Sequence, residues 1–283
     1  MIDYSNYPKN DRFYTGTEKK IGITVKNIPY IIKFRKNSRE GYRFNHVSEY
    51  LGSHIFSLLG VPAQESHLGL YNGQEIVCIR DFLNDDEIFV PFNGVGDTTL
   101  EEDKEKYQYD YVDIIRMLRE NIKLTNVPET IERFWDMFII DAFLGNFDRH
   151  GSNWGFIRKD DQYQIAPVFD NGSCLFPQLN TDEKLKAVLL SEKEMNKRVF
   201  TFPTSQVKLN GRKSSYFEVI NSLQFEECNR ALERIMGRID WQKINVLIDE
   251  TPFISEKRRE FYRRILAARY EKILKHAFDT LTL

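Results

Sequence analysis

The stretch G-N-F-D-R-H-G-S-N-W-G, Gly145 to Gly155, is followed shortly by Phe169-Asp170-Asn171-Gly172. Asp148 and Asn153 stand five positions apart in a short polar segment between two apolar runs. Asp170 comes 17 residues after Asn153, at the end of a further apolar run. Taken singly, each Asp or Asn is first of all a turn former, because its side chain bonds its own backbone. Taken together they are the set that Mg²⁺-assisted phosphoryl transfer from ATP requires. One carboxylate orients the attacking hydroxyl, and an amide oxygen and a second carboxylate hold the metal. Mg²⁺ is a hard cation and takes oxygen ligands, which Asn and Asp supply.

Working outward, composition sets the bounds. The chain has 283 residues, 41% hydrophobic and 29% charged, enough for one large domain or two lobes. A net charge of −2 gives little support to direct nucleic-acid binding or to an anionic-membrane role. Cys78, Cys174 and Cys228 are odd in number and far apart, with no zinc spacing, which favours free thiols and a reducing compartment. His46, His54, His67, His150 and His276 form no metal-binding motif. No apolar run reaches the roughly 18 residues of a membrane span, and the N-terminus lacks the apolar core of a signal peptide. A bacterial cytoplasmic protein is expected, with secretion or translocation by other signals left open.

Upstream of the polar loop the chain reads as a small β-rich unit. Residues 1 to 12 read as an irregular arm. Ile21–Val25 and Tyr30–Phe34 read as a hairpin, with Asn27 and Pro29 at its turn. Gly16 and Gly22 precede or open it, where glycine lets backbone N–H groups approach a phosphate. Lys33 sits in an otherwise apolar strand, placed either to snorkel or to reach the α/β-phosphates of ATP. Phe44 to Leu59 has helical spacing, with Asn45 as N-cap and Val47, Leu51, Ile55 and Leu58 inward. Glu49 lies in it 16 residues after Lys33, the order and spacing of the strand-Lys to helix-Glu ion pair of protein kinases. Glu65–Tyr71 and Glu75–Arg80 flank Asn72-Gly73, a hairpin signal. A hinge is expected at Arg80 to Phe82, whose backbone would meet an adenine edge.

Downstream the character turns helical. Residues 85 to 107 read as an acidic insertion or mobile loop. Tyr109–Asn121 and Pro128–Leu144 read as helices, the second with Pro128 in its first turn, Gly145 at its end, and Ile131, Phe134, Met137, Phe138 and Ala142 inward. Trp154–Ile157 and Tyr163–Phe169 read as a hairpin that would hold Asn153 before one strand and Asp170 after the other. Residues 171 to 215 show no clean period and read as a long, partly mobile, substrate-facing segment. In the last helix, about Glu256 to Phe278, Ser255 is the expected N-cap. Phe261, Ile265, Ile273 and Leu274 point inward, and Arg258, Arg259, Arg263, Arg264 and Arg269 form a solvated basic face.

N-F-D-R-H-G-S-N-W-G-F with A-P-V-F-D-N-G closely resembles the HipA-like serine/threonine kinases. In that family N-x-D-R-H-x-x-N takes the part that H-R-D-x-x-x-x-N plays in eukaryotic protein kinases, and D-N replaces D-F-G. N-H-V-S-E-Y-L-G-S-H-I-F-S-L-L-G-V-P is similar to the family's helix C and its exit. The resemblance runs from about Phe13 to the C-terminus. It implies an α+β, bilobed protein-kinase-like fold, with a β-rich N-lobe over 1–82 and a helical C-lobe over 83–283.

It further implies Asp148 as catalytic base and Asn153 and Asp170 as Mg²⁺ ligands. Lys33 is implied on the ATP phosphates, Glu49 as its partner, and His150 as an orienting residue. Gly16, Thr17, Arg80 and Phe82 would line the nucleotide site. Full-length members carry an extra N-terminal subdomain, so this chain is expected to be a short member, and an antitoxin-like partner is compatible but not implied. Thr15 and Thr17 flank Gly16, where such kinases autophosphorylate; a phosphate there would inhibit by charge. The expected reaction is transfer of the γ-phosphoryl of ATP to protein Ser or Thr, with Asp148 ionised at neutral pH without needing a shifted pKa. A small-molecule or lipid kinase and an inactive scaffold are the rival readings.

Overall fold

The structure, a computed structural model, describes residues 1–12, 14, 19–95, 109–120 and 126–282. The glycine-loop residues Gly16 and Thr17, with Thr15, lie outside the described residues, as does most of the expected acidic insertion. The first part of the chain supplies β1 (Ile2–Asp3), β2 (Lys20–Val25), β3 (Ile28–Phe34), the short ribbon β4 (Asn37–Ser38) and β5 (Gly41–Tyr42), α1 (Asn45–Leu58), β6 (Ser66–Tyr71) and β7 (Gln74–Arg80). Five of these strands form one sheet in the order β1-β6-β7-β3-β2. Both hairpins close through two-residue turns with positive φ at each central position, Lys26-Asn27 (50° and 64°) and Asn72-Gly73 (48° and 73°). Pro29 is thus not a turn residue but lies inside β3 opposite Thr24, whose N–H donates to Pro8 O at 2.8 Å. The expected irregular arm also differs: β1 pairs in parallel with β6, and Tyr4 is buried against the sheet.

Alternation along β7 divides the apolar side chains between two cores. Ile76 and Cys78 join Tyr4, Ile23, Ile32 and Tyr71 on one face. Val77 and Ile79 point the other way, onto Val47, Leu51 and Ile55 of α1, whose inward stripe is as expected. Leu58 is the exception and is exposed. Asn45 is the first helical residue rather than the cap. Its amide instead ties the helix entrance to the end of β3, accepting from Lys36 N at 2.8 Å and donating to Phe34 O at 3.1 Å.

The second part is organised on the buried helix α4 (Val127–Leu144), preceded by β8 (Ile88–Pro91), the turn α2 (Phe92–Val95), β9 (Tyr109–Asp110) and α3 (Tyr111–Glu120). Asn126 caps α4 by accepting from Glu129 N, and Gly145 ends it with φ 66°. A Cβ on Gly145 would also press on the Phe176 ring at 3.0 Å. Next come β10 (Gly155–Lys159) and β11 (Gln162–Ile165), a hairpin to which β8 adds a third strand, so Ile88–Pro91 is sheet and not loop.

Residues 171 to 215 are also more regular than expected. They hold α5 (Asp182–Leu189), α6 (Glu192–Asn196), the wide helical turn 197–201, and the hairpin β12 (Thr204–Leu209) and β13 (Arg212–Ser215). Helices α7 (Tyr216–Asn221), α8 (Glu226–Met236), α9 (Trp241–Glu250), α10 (Glu256–Arg269) and α11 (His276–Leu281) complete the chain, with a wide turn at 270–275 between the last two. One apolar core runs without a break from α1 through α4 to α10.

Ser255 caps α10 by accepting from Arg258 N, as expected. The basic face does not hold together, because Arg258 and Arg269 are buried. Arg258 lies over the Phe44 ring at 3.6 Å and donates to Leu179 O. Arg269 donates to Ala142 O at 2.5 Å, satisfying a carbonyl at the C-terminal end of α4.

Candidate active site

Lys33 leaves β3 toward α1, and its Nζ lies 3.3 Å from Glu49 Oε2 and 2.9 Å from Asp170 Oδ1. A residue of the sheet, one of the helix and one after the β11 strand therefore meet at one ammonium. Glu49 is buried, and its carboxyl is raised above the ordinary value by loss of hydration, against the pull of Lys33. Its other oxygen, Oε1, accepts from Asn171 N at 3.0 Å. Asp170 also loses hydration, but the Lys33 charge and hydrogen bond outweigh that and hold its carboxyl below the ordinary value. Asp170 takes φ 56°, in the left-handed region that is uncommon for residues other than glycine and that Asp tolerates better than most.

Beneath this cluster lies a brace on Arg149. Its Nε donates to Asp141 Oδ2 at 2.8 Å and its Nη2 to Asp141 Oδ1 at 3.1 Å. Nη1 donates to Asn153 O at 3.0 Å and to Phe169 O at 2.5 Å, and Nη2 reaches Asn171 Oδ1 at 2.5 Å. One guanidinium thus holds α4, the 146–153 loop and the segment after β11 in register. Both side chains of the pair are buried, 4% exposed for Arg149 and 1% for Asp141. Bidentate geometry and fully used donors are the conditions under which such a pair stays charged. Asn146 adds to the brace by donating to Asp141 Oδ1 at 2.8 Å and accepting from Asp148 N at 3.0 Å.

Asp148 sits on top of the brace with its side chain 55% exposed to the cleft. The cleft walls raise its carboxyl above the ordinary value by desolvation, His150 opposes this and Asp170 adds to it. The expected role of Asp148 needs no shifted pKa, and this desolvation is a feature that spacing in the sequence does not carry. His150 Nδ1 accepts from Ser152 N at 3.2 Å, which leaves the proton of the neutral ring on Nε2, 3.9 Å from Asp148 Oδ1. Asn153 donates through Nδ2 to Asp148 O at 2.7 Å, which commits its amide nitrogen and leaves its oxygen as the end that could face a cation. The cleft itself is lined by Lys33, Lys36, Arg43, Glu49, Asp148 and Asp170, with Phe147 and Pro177 among the uncharged neighbours.

The HipA-like C-terminal domain family matches residues 13–251. The serine/threonine-protein kinase CtkA of Helicobacter pylori is 36% identical over 263 residues, covering 90% of this chain and 80% of CtkA. The chain belongs to the HipA-like C-terminal domain family. The crystal structure of the Helicobacter pylori proinflammatory kinase CtkA matches all of this chain and 99% of its own, with a TM-score of 0.91 at 34% identity. The HipA of Shewanella oneidensis, solved with HipB and operator DNA, matches 96% of this chain and 65% of its own at 16% identity and a TM-score of 0.50, a likeness of fold. The α+β, bilobed kinase-like architecture expected of a HipA-like chain is thus the one observed.

Of the residues singled out in the sequence, Lys33, Glu49, Asp148 and Asp170 come together at the cleft, with His150 and Asn153 on the same loop. Arg80 is not among the cleft-lining residues. Its side chain faces solvent against Glu65 at 3.3 Å, and its carbonyl accepts from Gln64 Nε2 at 3.1 Å. Phe82 packs on Phe89 and Phe169, with ring centroids 6.2 and 5.8 Å away. Asp141, Arg149 and Asn171 were not given roles from sequence. Asp141 left a signal, being the lone charge in the apolar run M-F-I-I-D-A-F-L. Gly52 is a second such position: a Cβ there would come within 2.6 Å of Asn171 Cβ, so only glycine lets α1 approach the segment after β11 this closely.

Proposed function

We propose that this chain is an ATP- and Mg²⁺-dependent serine/threonine protein kinase of HipA-like type. The observation that carries the reading is the meeting of Lys33, Glu49 and Asp170 at one ammonium, with Asp148 opening onto the same cleft. A lobe boundary near Asp81-Phe82 accompanies it, with the nucleotide entering between the lobes.

The residues present suit a Mg²⁺–nucleotide. Asn153 and Asp170 offer hard oxygen atoms, as Mg²⁺ requires. Among the described residues no group of three or more acidic, His or Cys side chains could hold a metal by itself. A cation sharing its shell between two protein oxygens, phosphate and water fits that donor set. When bound, Mg²⁺ neutralises charge on the β- and γ-phosphates. Lys33 adds positive charge to the same phosphates while Glu49 fixes its direction. Asp148 orients the acceptor hydroxyl: a bond forms from that oxygen to the γ-phosphorus, the bond to the ADP oxygen breaks, and the proton passes to Asp148. His150 holds the loop, with its Nε2–H turned toward Asp148. Most of the acceleration on this reading is positioning and preorganised charge.

Autophosphorylation at Thr15 or Thr17 and an antitoxin-like partner remain parts of this reading to be tested by phosphosite mapping and by co-purification. Incubation with ATP and Mg²⁺ should yield phosphoserine or phosphothreonine on protein. ATP binding without transfer to any protein would contradict the reading and favour a small-molecule kinase first and a scaffold second.

A further inference from the structure

We infer that the acceptor segment of this kinase carries an anionic side chain, a carboxylate or a phosphate, within a few residues of the Ser or Thr, and that Lys36 and Arg43 read it. The inference rests on the protein-kinase reading above and deepens it to a class of substrate. Three observations lead to it.

The first is charge. Lys36 and Arg43 bracket the β4–β5 ribbon and line the cleft that Asp148 and Asp170 also line. Lys36 and Asp148 line the same cleft, so this base and the acceptor hydroxyl would share one neighbourhood. The second is fixation. The ribbon is a crossing element whose tip is pinned to the far lobe: Asn180 Nδ2 donates to Glu40 O at 2.6 Å and Lys184 Nζ meets Glu40 Oε2 at 2.5 Å. Ser38 Oγ donates to Gly41 O at 2.8 Å and closes the ribbon on itself. The two bases are thus presented by a tethered ribbon.

The third is the uncharged lining. Phe147 and Pro177 line the same cleft, Pro177 O accepting from Phe44 N beside Arg43 at 3.1 Å, and the Phe202 ring stacks near Phe147 at 5.9 Å between centroids. An acceptor segment lying past Asp148 therefore meets both cations and uncharged side chains in one cleft. Charge complementarity then selects an anion next to the hydroxyl, and rejects a cation there by repulsion from Lys36 and Arg43.

The test uses the full chain with ATP and Mg²⁺ and a panel of Ser peptides that differ only beside the acceptor: Asp, phosphoserine, Ala or Lys. Wild type should phosphorylate the Asp and phosphoserine peptides with kcat/KM about tenfold above Ala, and the Lys peptide should fall below Ala. A phosphoserine advantage over Asp identifies a primed phosphate as the ligand; equal use identifies plain anionic charge. Lys36→Glu with Arg43→Glu should reverse the order in favour of the Lys peptide. The pair Lys36→Met with Arg43→Met should flatten it, and these smaller changes keep the test open where charge reversal unfolds the ribbon. A flat wild-type preference, or variants that raise the KM for ATP equally with every peptide, would overturn the inference and leave the kinase reading standing. Failure of wild type to phosphorylate any peptide or itself would overturn that reading, and the inference with it.

Discussion

Asp141 and Asp148 lie seven residues apart and face opposite conditions. Asp141 is buried and spends both oxygens on Arg149, in a pair shielded from water. Asp148 stands on the same loop system with its side chain open to the cleft and its carboxyl raised by the surrounding walls. On the proposed kinase reading the first serves rigidity and the second chemistry: a loop that presents one open carboxylate in a fixed direction is held from below by one that is fully satisfied. Stability and activity should therefore separate cleanly between the two positions.

The largest separation is expected in activity. Asp148→Asn should lower kcat by about 10²–10⁴-fold, the range for a positioned general base, while leaving ATP binding in place by calorimetry. The same change should not destabilise the fold. A carboxyl whose folded pKa is raised above its unfolded value binds its proton more tightly when folded. Its ionised form then costs stability at neutral pH, and Asn removes that cost. A urea titration should place Asp148→Asn at or slightly above wild type, the gain fading as pH falls through the raised folded pKa.

The brace should behave in the opposite way. Arg149→Ala leaves Asp141 as an uncompensated buried charge and should cost about 3–5 kcal/mol in the same titration. Its activity should fall only as far as the folded fraction and loop order do. Wild-type stability in Arg149→Ala would contradict the division of labour between Asp141 and Asp148. Next in size, Lys33→Met should reduce kcat/KM by roughly 10²-fold, as loss of one preorganised electrostatic contact does. It should also push Glu49 further toward its protonated form, readable as a shifted carboxyl titration. The smallest effect is at a distance: Ser255→Ala should cost about 1 kcal/mol through the α10 cap and leave kcat untouched. A matching loss of kcat there would tie α10 to the cleft through Arg258 and Phe44 more tightly than their stacking implies.

How much of this was legible depended on whether the signal was local. The Lys33–Glu49 pair, the Asn72-Gly73 turn and the Ser255 cap rest on spacing or turn chemistry and are found as read. The β10–β11 hairpin is also found, but β11 ends at Ile165 rather than Phe169, so Asp170 lies further along the chain and not at the strand end. The burial of Arg258 and Arg269 was not legible, because arginine on a helix is ordinarily solvated and it is partners distant in sequence, Leu179 O and the Phe44 ring for one and Ala142 O and Arg198 O for the other, that make their burial tolerable. Residues 171 to 215 lacked periodicity because several short elements follow one another there, each too brief to show a period. Asn210-Gly211, with φ 52° and 69°, was a readable hairpin signal inside that segment. The raised carboxyl of Asp148 and the Arg149 brace depend on three-dimensional crowding, which no single stretch of sequence encodes.

Phosphoryl transfer and its dependence on Asp148 can be read in a single labelling experiment. Wild type and Asp148→Asn are incubated side by side with γ-labelled ATP and Mg²⁺, and the labelled sites are mapped. Label is expected on Ser or Thr of protein with wild type alone, at equal folded fractions of the two. Equal labelling by both would contradict the role of Asp148, and absence of label from both with ATP bound would contradict protein phosphorylation itself.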